Sequence, residues 1–386
     1  MLLITDEVTT ESINYLLPEL QDVGMEERTV RLRNGAQMPR IGLGTWKSPA
    51  EVTKQAVQAA VRAGYRLIDC ANDYDNEHVI GEALKELLDQ GEVKREELFI
   101  QAKLWNSNHR PEHVRPDLEA TLKDLQLDYV DSFVIHWPMA VPSSGQKVAL
   151  RPDGCYPAHF SQGTLFPLDD EGYYASDDAS HFIETWYAME DLVDEGLTKS
   201  IGLSNFNMKQ VREVLEKAKK HLPSVVQNES HPYLQERDFR AFCRINGIVF
   251  QAYSALGSAD RPWRHTGSIT SGAPSTGHEV LDHPILRDIA QRLGRSVAHV
   301  VLRWHLQIGG AAVCKSVTPS RIQENIKLWD FALAPEDMDQ ISNLNVGWRH
   351  LLWAETSMHN DYPFKDWLPS DYKLEKPSAG STAGAK

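Results

Sequence analysis

Four polar residues of complementary acid–base types each follow a short apolar run in the N-terminal part of the sequence: Asp69, Tyr74, Lys103 and His136. A carboxylate such as Asp69 holds a neighbouring ammonium charged and oriented. The ammonium of Lys103 is then expected to favour the phenolate form of Tyr74 and to lower the pKa of that phenol. Tyr74 is therefore a candidate proton donor to a carbonyl oxygen, and His136 is a candidate to orient the carbonyl.

Each of these residues also has a purely structural explanation. Lys103 and Asp69 can form a simple buried salt bridge, and His136 can be a core histidine with its hydrogen bonds satisfied. The combination favours chemistry, because all four are expected at the ends of consecutive strands. Asp73 directly precedes Tyr74 and would raise the pKa of the phenol if it pointed inward. Strand alternation predicts that Asp73 points outward.

The elements that position these residues alternate between strand and helix. The predicted strands span residues 41–45, 66–71, 98–104, 130–137, 200–205, 225–230, 248–254 and 311–316. Helical patterns separate most of them, at 51–63, 78–90, 111–125, 182–195, 207–220, 235–245, 284–293 and 296–307, and another begins at 319. Eight such units predict an α/β fold, a closed (β/α)8 TIM barrel whose strand ends converge on one mouth.

Segments outside this repeat have distinct predictions. Asn34-Gly35, flanked by Thr29–Leu32 and Arg40–Gly44, predicts a β-hairpin that closes the bottom of the barrel. Two long segments, 139–178 and 265–280, are predicted to be βα loops, of which the first borders the active-site mouth.

Three regions are expected along the chain. Residues 1–28 form an N-terminal extension that lacks the features of a targeting peptide, residues 29–375 form the barrel, and residues 376–386 form a disordered tail.

Composition narrows the class of protein. The chain has 386 residues and a formal net charge of −14, which argues against nucleic acid as a partner. No apolar run approaches the roughly 18 residues of a membrane span. The four cysteines are scattered without a Cys-x-x-Cys pair, which favours a reduced, cytoplasmic protein. His109 and His113 have helical spacing, but Pro111 lies between them and no third ligand is evident, so no metal site is predicted.

A dinucleotide fingerprint of the Rossmann type is absent, because Gly42-Leu-Gly44-Thr45-Trp46-Lys47 lacks the third glycine and its context. A candidate anion site follows the eighth strand. There Thr318 is expected as an N-cap and Pro319 as the first helical residue, with Lys315 and Arg321 beside them. An ordinary capped helix with solvated basic residues is the alternative.

Several longer motifs resemble the aldo-keto reductases, and within them the aldose and aldehyde reductase group. The resemblance runs from about Thr29 to Tyr372. The motifs are Gly-Leu-Gly-Thr-Trp-Lys-Ser at 42–48, Gly-Tyr-Arg-Leu-Ile-Asp-Cys-Ala at 64–71, Ile-His-Trp-Pro at 135–138, Leu-Val-Asp-Glu-Gly-Leu at 192–197, Ile-Gly-Leu-Ser-Asn-Phe at 201–206 and Lys-Ser-Val-Thr-Pro at 315–319.

The resemblance implies NADPH-dependent reduction of aldehydes or ketones, sugars among them, with Tyr74 as the proton donor. It implies cofactor contacts from Thr45 and Trp46, nicotinamide contacts from Ser204, Asn205, Gln227 and Tyr253, and a pyrophosphate belt of Ser254, Leu256, Ser258 and Asp260. The adenosine end would contact Lys315, Ser316, Val317, Thr318, Arg321, Glu324 and Asn325. The substrate pocket would be walled by Trp46, Trp105, Trp137 and Trp263. A small carbonyl compound and a monomeric enzyme are expected.

One departure from the family lies at Cys314, since relatives typically have proline before the lysine of this motif. The thiol is either an oxidisable group of lowered pKa or a small filler residue. Two other functions remain open from the sequence. One is a nucleotide-binding regulatory or structural barrel with little turnover, and the other is an unrelated phosphate-binding barrel enzyme such as an isomerase or aldolase.

Overall fold

The computed structural model describes residues 28–143, 165, 167–258, 279–368, 370 and 372–374. Eight parallel strands close into a barrel: β3 (Ile41–Gly44), β4 (Leu67–Asp69), β5 (Phe99–Leu104), β6 (Ser132–Ile135), β7 (Ile201–Ser204), β8 (Val225–Glu229), β9 (Val249–Tyr253) and β10 (Ala311–Lys315). The α-helices of the described residues are α1 (Ala50–Ala63), α2 (Glu77–Asp89), α3 (Pro111–Leu125), α4 (Phe182–Asp194), α5 (Met208–Lys217), α6 (Arg237–Ile245), α7 (Pro284–Leu293), α8 (Val297–Gln307), α9 (Pro319–Asn325) and α10 (Pro335–Ser342). The predicted (β/α)8 TIM barrel is confirmed.

A two-stranded hairpin precedes the barrel and pairs β1 (Thr29–Arg31) with β2 (Gln37–Pro39) in antiparallel register. Its turn is closed by Gly35, whose N–H donates to the carbonyl of Leu32 and whose φ is +88°. Glycine adopts this left-handed conformation without strain. The predicted return strand at 40–44 is wrong, because residues there form the first barrel strand instead.

The hairpin covers the bottom of the barrel, as the sequence predicts. Leu32 and Met38 are buried in a cluster with the first residues of several barrel strands, among them Leu67, Phe99 and Ala311. Apolar contact with these strand beginnings seals the end of the barrel opposite the carboxyl ends of the strands. Water is therefore excluded from the bottom of the barrel, and the open end is left for ligands.

Helix boundaries follow local sequence signals. In α1 the buried residues recur on one face, which packs on the barrel. The helix ends at Gly64, which has φ +103° and donates its N–H to the carbonyls of Ala60 and Val61. Helices α2 and α3 approach closely at Gly81, where an added Cβ would lie 2.1 Å from the carbonyl oxygen of Asp124. A side chain at this position would push the two helices apart.

The later part of the chain contains elements that the sequence patterns did not predict. Helix α10 lies beyond the predicted repeat, and it packs against α7. Part of the first long segment is ordered by an antiparallel bridge between Leu168 and Tyr174. Predictions for residues 1–27, for most of 265–280 and for the tail at 376–386 lie outside the described residues. No helix in the described part of the chain has both the length and the apolar character needed to cross a bilayer.

Candidate active site

The carboxyl end of β4 leads directly into the candidate active site. Asp69 is the last residue of this strand, and a 3-10 turn at Asn72–Tyr74 carries the chain back over the barrel mouth. Asp69 pairs in register with Gln101 on β5, two residues before Lys103. The parallel pairing of β4 and β5 therefore brings the carboxylate and the ammonium to the same layer of the barrel interior.

The predicted pair between Lys103 and Asp69 is present. The Lys103 Nζ atom lies 2.8 Å from Asp69 Oδ1 and donates a second hydrogen bond to the carbonyl of Cys70, at 2.9 Å. Lys103 is fully buried, so its charge depends on this carboxylate. The same Nζ atom lies 4.9 Å from the centroid of the Tyr74 ring. The amine is thus close to the phenol, as the proposed chemistry requires.

Two glutamines complete the surroundings of Asp69. Gln101 and Gln227 donate amide hydrogens to Asp69 Oδ1 at 2.8 and 2.9 Å, and both also donate to Gln251 Oε1 at 2.7 Å. The sequence patterns did not indicate a role for Gln101 or Gln251. Strand alternation could have found Gln101, because it faces the same side of β5 as Lys103. The network locks the Asp69 carboxylate in place on a rigid part of the barrel.

The expected lowering of the Tyr74 pKa is wrong for the resting protein. Burial raises the pKa of the phenol well above its ordinary value, and the nearby carboxylates of Asp69 and Asp73 raise it further. An ammonium beside a phenol favours the phenolate, but here burial and the two carboxylates outweigh the charge of Lys103. The raised pKa therefore favours the protonated phenol of Tyr74.

The expectation that Asp73 points outward is also wrong. Its Oδ1 atom lies 3.0 Å from Nδ1 of His136, and both side chains are about nine-tenths buried. Strand alternation does not apply to Asp73, because residues 72–74 form a 3-10 turn. The His136 ring also makes edge contacts with Tyr74 and Trp105, with centroid distances of 5.7 and 5.2 Å. His136 is thus held beside the phenol, as predicted.

Three residues that the resemblance assigns to nicotinamide binding are linked to each other. Asn205 donates through Nδ2 to the carbonyl of His136 at 2.9 Å and to Ser204 Oγ at 3.2 Å. Its Oδ1 accepts a hydrogen bond of 2.6 Å from the hydroxyl of Tyr253. Asn205 has φ +60°, a conformation that asparagine tolerates better than most residues. These bonds hold the ends of β7 and β9 and the residue after β6 together on one rim.

The predicted pyrophosphate belt begins as a tight turn after β9. Ser254 has φ +50°, its carbonyl accepts the N–H of Gly257 at 2.7 Å, and its hydroxyl lies 2.7 Å from that of Ser258. Gly257 has φ +86°, and an added Cβ would lie 2.7 Å from Val280. Leu256 is partly buried against the core. Asp260 and Trp263 lie outside the described residues.

The predicted anion segment follows β10. Thr318 occupies the N-cap position of α9 and Pro319 its first turn, as expected, but the Thr318 hydroxyl makes no capping bond. Instead the hydroxyl of Ser316 accepts the N–H of Thr318 at 3.2 Å. Lys315, Ser316 and Val317 are half-buried, whereas Arg321 is exposed. Hydroxyls and basic groups thus share one short stretch at the rim.

The end of the same segment has mixed environments. Glu324 is exposed and pairs with Lys327 at 2.5 Å, while its carbonyl faces Nε2 of His299 at 2.7 Å. Asn325 is buried. The Cys314 thiol is also buried, 3.9 Å from the Tyr65 hydroxyl. Burial raises its pKa to about 11, so the filler explanation fits and that of a thiol with lowered pKa does not.

Aromatic side chains cluster at the mouth. Trp105 and Trp137, both predicted as pocket walls, are buried and contact Trp353 at centroid distances of 5.8 and 5.4 Å. The sequence patterns did not indicate Trp353 as a wall residue, because it lies in a C-terminal segment without a periodic pattern. Trp46 is half-buried, and the ammonium of Lys47 lies 4.2 Å from its ring centroid. Trp46 is thus partly accessible to a ligand and follows Thr45 directly in the chain.

A second buried polar cluster lies after β8. Among the described residues, one group has metal-type ligands within 4.8 Å of one another, namely Glu229, His231 and His350. Both carboxylate oxygens of Glu229 already accept hydrogen bonds, from the N–H groups of His350 and Leu351 at 2.7 and 2.9 Å and from the His231 ring at 2.9 Å. This carboxylate anchors the C-terminal segment to the barrel. We assign it no metal.

Comparison with known proteins gives a consistent result. The sequence profile described as "Aldo/keto reductase family" matches residues 40–346. The chain is 42% identical over 353 residues to aldo-keto reductase family 1 member A1 from Mus musculus, covering 89% of this chain and 99% of that protein. It is 41% identical over 354 residues to the protein of the same name from Homo sapiens, again covering 89% of this chain and 99% of the relative.

A solved structure is also similar. The aldose reductase from Schistosoma japonicum superposes with a TM-score of 0.75 and is 37% identical in sequence. The superposition covers 90% of this chain and all of that one. Sequence and fold therefore point to the same group of proteins.

Proposed function

Because the chain belongs to the aldo/keto reductase family, we propose that it reduces aldehydes or ketones, sugars among them, to alcohols with NADPH. The observation that supports this proposal most strongly is the buried pair of Lys103 and Asp69 beneath Tyr74. If the pair of Lys103 and Asp69 served only stability, it would not need to lie next to the phenol of Tyr74. The arrangement of amine, carboxylate and phenol supports protonation of a carbonyl oxygen.

Tyr74 is the proposed proton donor. The raised pKa of its phenol keeps the proton in place until hydride transfer makes the carbonyl oxygen basic. The phenol then gives its proton to that oxygen and becomes a phenolate. Lys103 lies close enough to stabilise the phenolate as it forms, and Asp69 fixes the position of the amine. The ammonium of Lys103 therefore offsets part of the cost of forming a phenolate in a buried site.

His136 is the proposed orienting group for the carbonyl. Its ring stands against those of Tyr74 and Trp105, and its backbone carbonyl is tied to Asn205. Packing and hydrogen bonding thus restrict the imidazole to one place beside the phenol. Such restriction is the physical basis of orientation effects in catalysis.

The residues at the rim suit NADPH in their chemistry. The cofactor supplies the hydride when bound. Its carboxamide needs both donors and acceptors, which Ser204 and Asn205 offer at the end of β7 and Gln227 offers within the neighbouring strand β8, and Tyr253 offers an aromatic face beside them. Its phosphates need hydroxyls and cations. The rim supplies these in two stretches, namely the hydroxyls of Ser254 and Ser258 after β9, and Lys315, Ser316, Thr318 and Arg321 after β10.

The substrate is proposed to be a small carbonyl compound. The tryptophans at the mouth, Trp105, Trp137 and Trp353, form an apolar wall with few polar groups, which is typical of small-molecule pockets. We also propose that the enzyme is a cytoplasmic monomer. In support of a reducing compartment, the described cysteines Cys70, Cys243 and Cys314 are all buried and unpaired.

The test is an assay of aldehydes, sugars and ketones with NADPH and with NADH. We expect turnover with several aldehydes, and quenching of tryptophan fluorescence when NADPH is added. Quenching without turnover would favour a binding or structural role. If the protein shows no quenching and no turnover, the proposal is overturned. A phosphate-binding barrel of another kind would then be the remaining explanation.

A further inference from the structure

Two buried asparagines stand close to the proposed proton donor in the chain, Asn72 two residues before Tyr74 and Asn76 two residues after it. Asn76 donates through Nδ2 to the carbonyls of Thr45 and Ser48, at 2.9 and 3.1 Å. These bonds fasten the chain after Tyr74 to the segment that follows β3. The chain before Tyr74 is fastened to a side chain of the outer helix layer instead.

That side chain is Asp117, which lies on α3 and is 2% exposed. Its Oδ1 atom accepts a hydrogen bond of 2.8 Å from Nδ2 of Asn72 and another from Nδ2 of Asn108. Asn108 ends the 3-10 turn that follows Trp105, and its backbone N–H donates to the carbonyl of Trp105 at 3.0 Å. One carboxylate oxygen therefore joins the turn after β4 to the turn after β5.

The two turns joined by Asp117 carry the rings on either side of His136. The imidazole contacts the ring of Tyr74 at a centroid distance of 5.7 Å and the ring of Trp105 at 5.2 Å. A shift of one turn relative to the other would change the space in which a carbonyl group meets the phenol. A misplacement of about 1 Å in such a site can lower a rate about a hundredfold. A buried polar bridge between the turns restricts shifts of this kind.

We propose that Asp117 is a positioning residue for the reduction, which sets the place of Tyr74 relative to Trp105 by holding the two turns. This inference rests on the proposed reductase function. Both asparagine amides donate to the same oxygen atom, so a single acceptor at this position is enough to hold both turns. Most of the proposed cofactor contacts lie on or after β7 to β10. Loss of Asp117 should therefore lower kcat and leave NADPH binding nearly unchanged.

The test uses two substitutions at Asp117 that remove or keep this acceptor. Asp117→Leu removes it, and should lower kcat for aldehyde reduction by about tenfold with the dissociation constant of NADPH unchanged. Asp117→Asn presents its amide oxygen to both asparagines, and should keep kcat within about twofold of the wild-type value. Steady-state kinetics and quenching of tryptophan fluorescence by NADPH measure the two quantities.

Glu190→Met is the matched control for the loss of a buried carboxylate from a barrel helix. Glu190 lies on α4, is 1% exposed and accepts the backbone N–H groups of residues 219–221 at 2.9, 2.8 and 3.0 Å. These residues precede β8, so they lie at the end of the barrel away from the mouth. The control should lose stability in urea, as Asp117→Leu does, while kcat of the folded protein stays at the wild-type value.

Asn72→Ala changes the turn and leaves the helix intact, so it serves even if Asp117→Leu does not fold. It should lower kcat by about fivefold on its own. Added to Asp117→Leu, it should have no further effect, because both changes break the same hydrogen bond.

The proposal is overturned if the folded Asp117→Leu and Asn72→Ala variants retain the wild-type kcat. It is also overturned if Asp117→Asn or Glu190→Met is as slow as Asp117→Leu, since the loss would then follow from a missing charge or from lowered stability. Weaker NADPH binding in step with kcat would likewise contradict it. If the wild type reduces no aldehyde, the proposed function is what fails, and the positioning role falls with it.

Discussion

Two buried carboxylates near the carboxyl ends of the barrel strands, Asp69 and Glu229, use their hydrogen-bonding capacity in different ways. Asp69 accepts from three side chains, namely Lys103, Gln101 and Gln227. Glu229 accepts mainly from the backbone of the C-terminal segment, in addition to the His231 ring. The first carboxylate holds a reactive group in position, whereas the second holds a chain segment.

The difference shows that burial of a charge does not by itself indicate catalysis. Both carboxylates are almost inaccessible to solvent, and both lie beside positive or potentially positive groups. What distinguishes them is the group that each partner contacts next. Lys103 lies beneath a phenol at the mouth. The partners of Glu229 lead to Arg349, which packs on Phe364 and Trp367 and pairs with Glu236.

The largest effect on the catalytic side of this comparison is expected for Tyr74→Phe. The change removes only the proton donor, so kcat should fall by about a thousandfold while NADPH binding stays nearly intact. Steady-state kinetics and a fluorescence titration with NADPH would measure the two quantities. A variant that retains most of its activity would show that another group protonates the carbonyl.

Lys103→Met tests whether the Asp69 cluster serves chemistry as well as stability. The substitution leaves a buried carboxylate without its cation, which should lower the free energy of unfolding by about 3–5 kcal/mol and abolish turnover. Adding Asp69→Asn to this variant removes the uncompensated charge, and should restore most of the stability but none of the activity. Denaturant unfolding and an activity assay check the two parts, and recovery of activity in the double variant would contradict the assignment.

Glu229→Gln tests whether the second buried carboxylate serves stability without serving catalysis. Burial alone would raise the pKa of this carboxyl, but the hydrogen bond and charge of His231, with the charges of His350 and Arg349, lower it to about 2 from an ordinary 4.5. A lowered pKa means stability that is present above pH 4.5 and lost as the pH falls towards 2. The carboxylate therefore contributes about 3 kcal/mol near neutrality.

In the Glu229→Gln variant most of this stability should be missing at neutral pH, and the loss between pH 4.5 and 2 should be correspondingly smaller than in the wild type. Urea unfolding at several pH values measures both. The kcat of the protein that remains folded should change little, because Glu229 holds a segment rather than a reacting group. A large fall in kcat with unchanged stability would reverse the roles assigned to the two carboxylates.

The smallest effect is expected at the rim. Lys315→Met should weaken NADPH binding by about tenfold, which is the usual value of one charge-assisted hydrogen bond, and should weaken NADH binding much less. Arg321→Ala should act in the same direction. Lys85→Met, which removes an exposed cation paired with Asp89 on α2, is the matched control. If the binding of NADPH and of NADH weakens equally, the phosphate that distinguishes NADPH from NADH lies elsewhere.

Much of the fold could be predicted from the sequence, because each barrel strand is a short apolar run bounded by polar residues. All eight predicted barrel strands are present, with bounds that differ by at most a few residues. The second strand of the hairpin was placed too late, since the alternating pattern of 37–39 merges with that of the first barrel strand. Helix α10 was not predicted, because it lies beyond the repeating pattern on which the prediction was built.

The proximity of Asp69, Tyr74, Lys103 and His136 also followed from the sequence, since residues at the ends of consecutive parallel strands must meet at one rim. The electrostatics of these residues did not follow. The pKa of Tyr74 depends on burial and on Asp73, and the direction of Asp73 depends on a 3-10 turn that strand alternation cannot foresee. The role of Trp353 depends on how an irregular segment folds over the mouth.

The sequence alone determined which residue types stand at the strand ends, because apolar periodicity and strand order are local properties of the chain. The tertiary structure alone decided which buried charges face a reactive group and which face backbone, and whether a polar side chain beside the phenol points inward. These outcomes depend on contacts between segments far apart in the chain, such as that of Glu229 with Leu351. Local patterns carry no information about such contacts, and burial and distance then set the electrostatics.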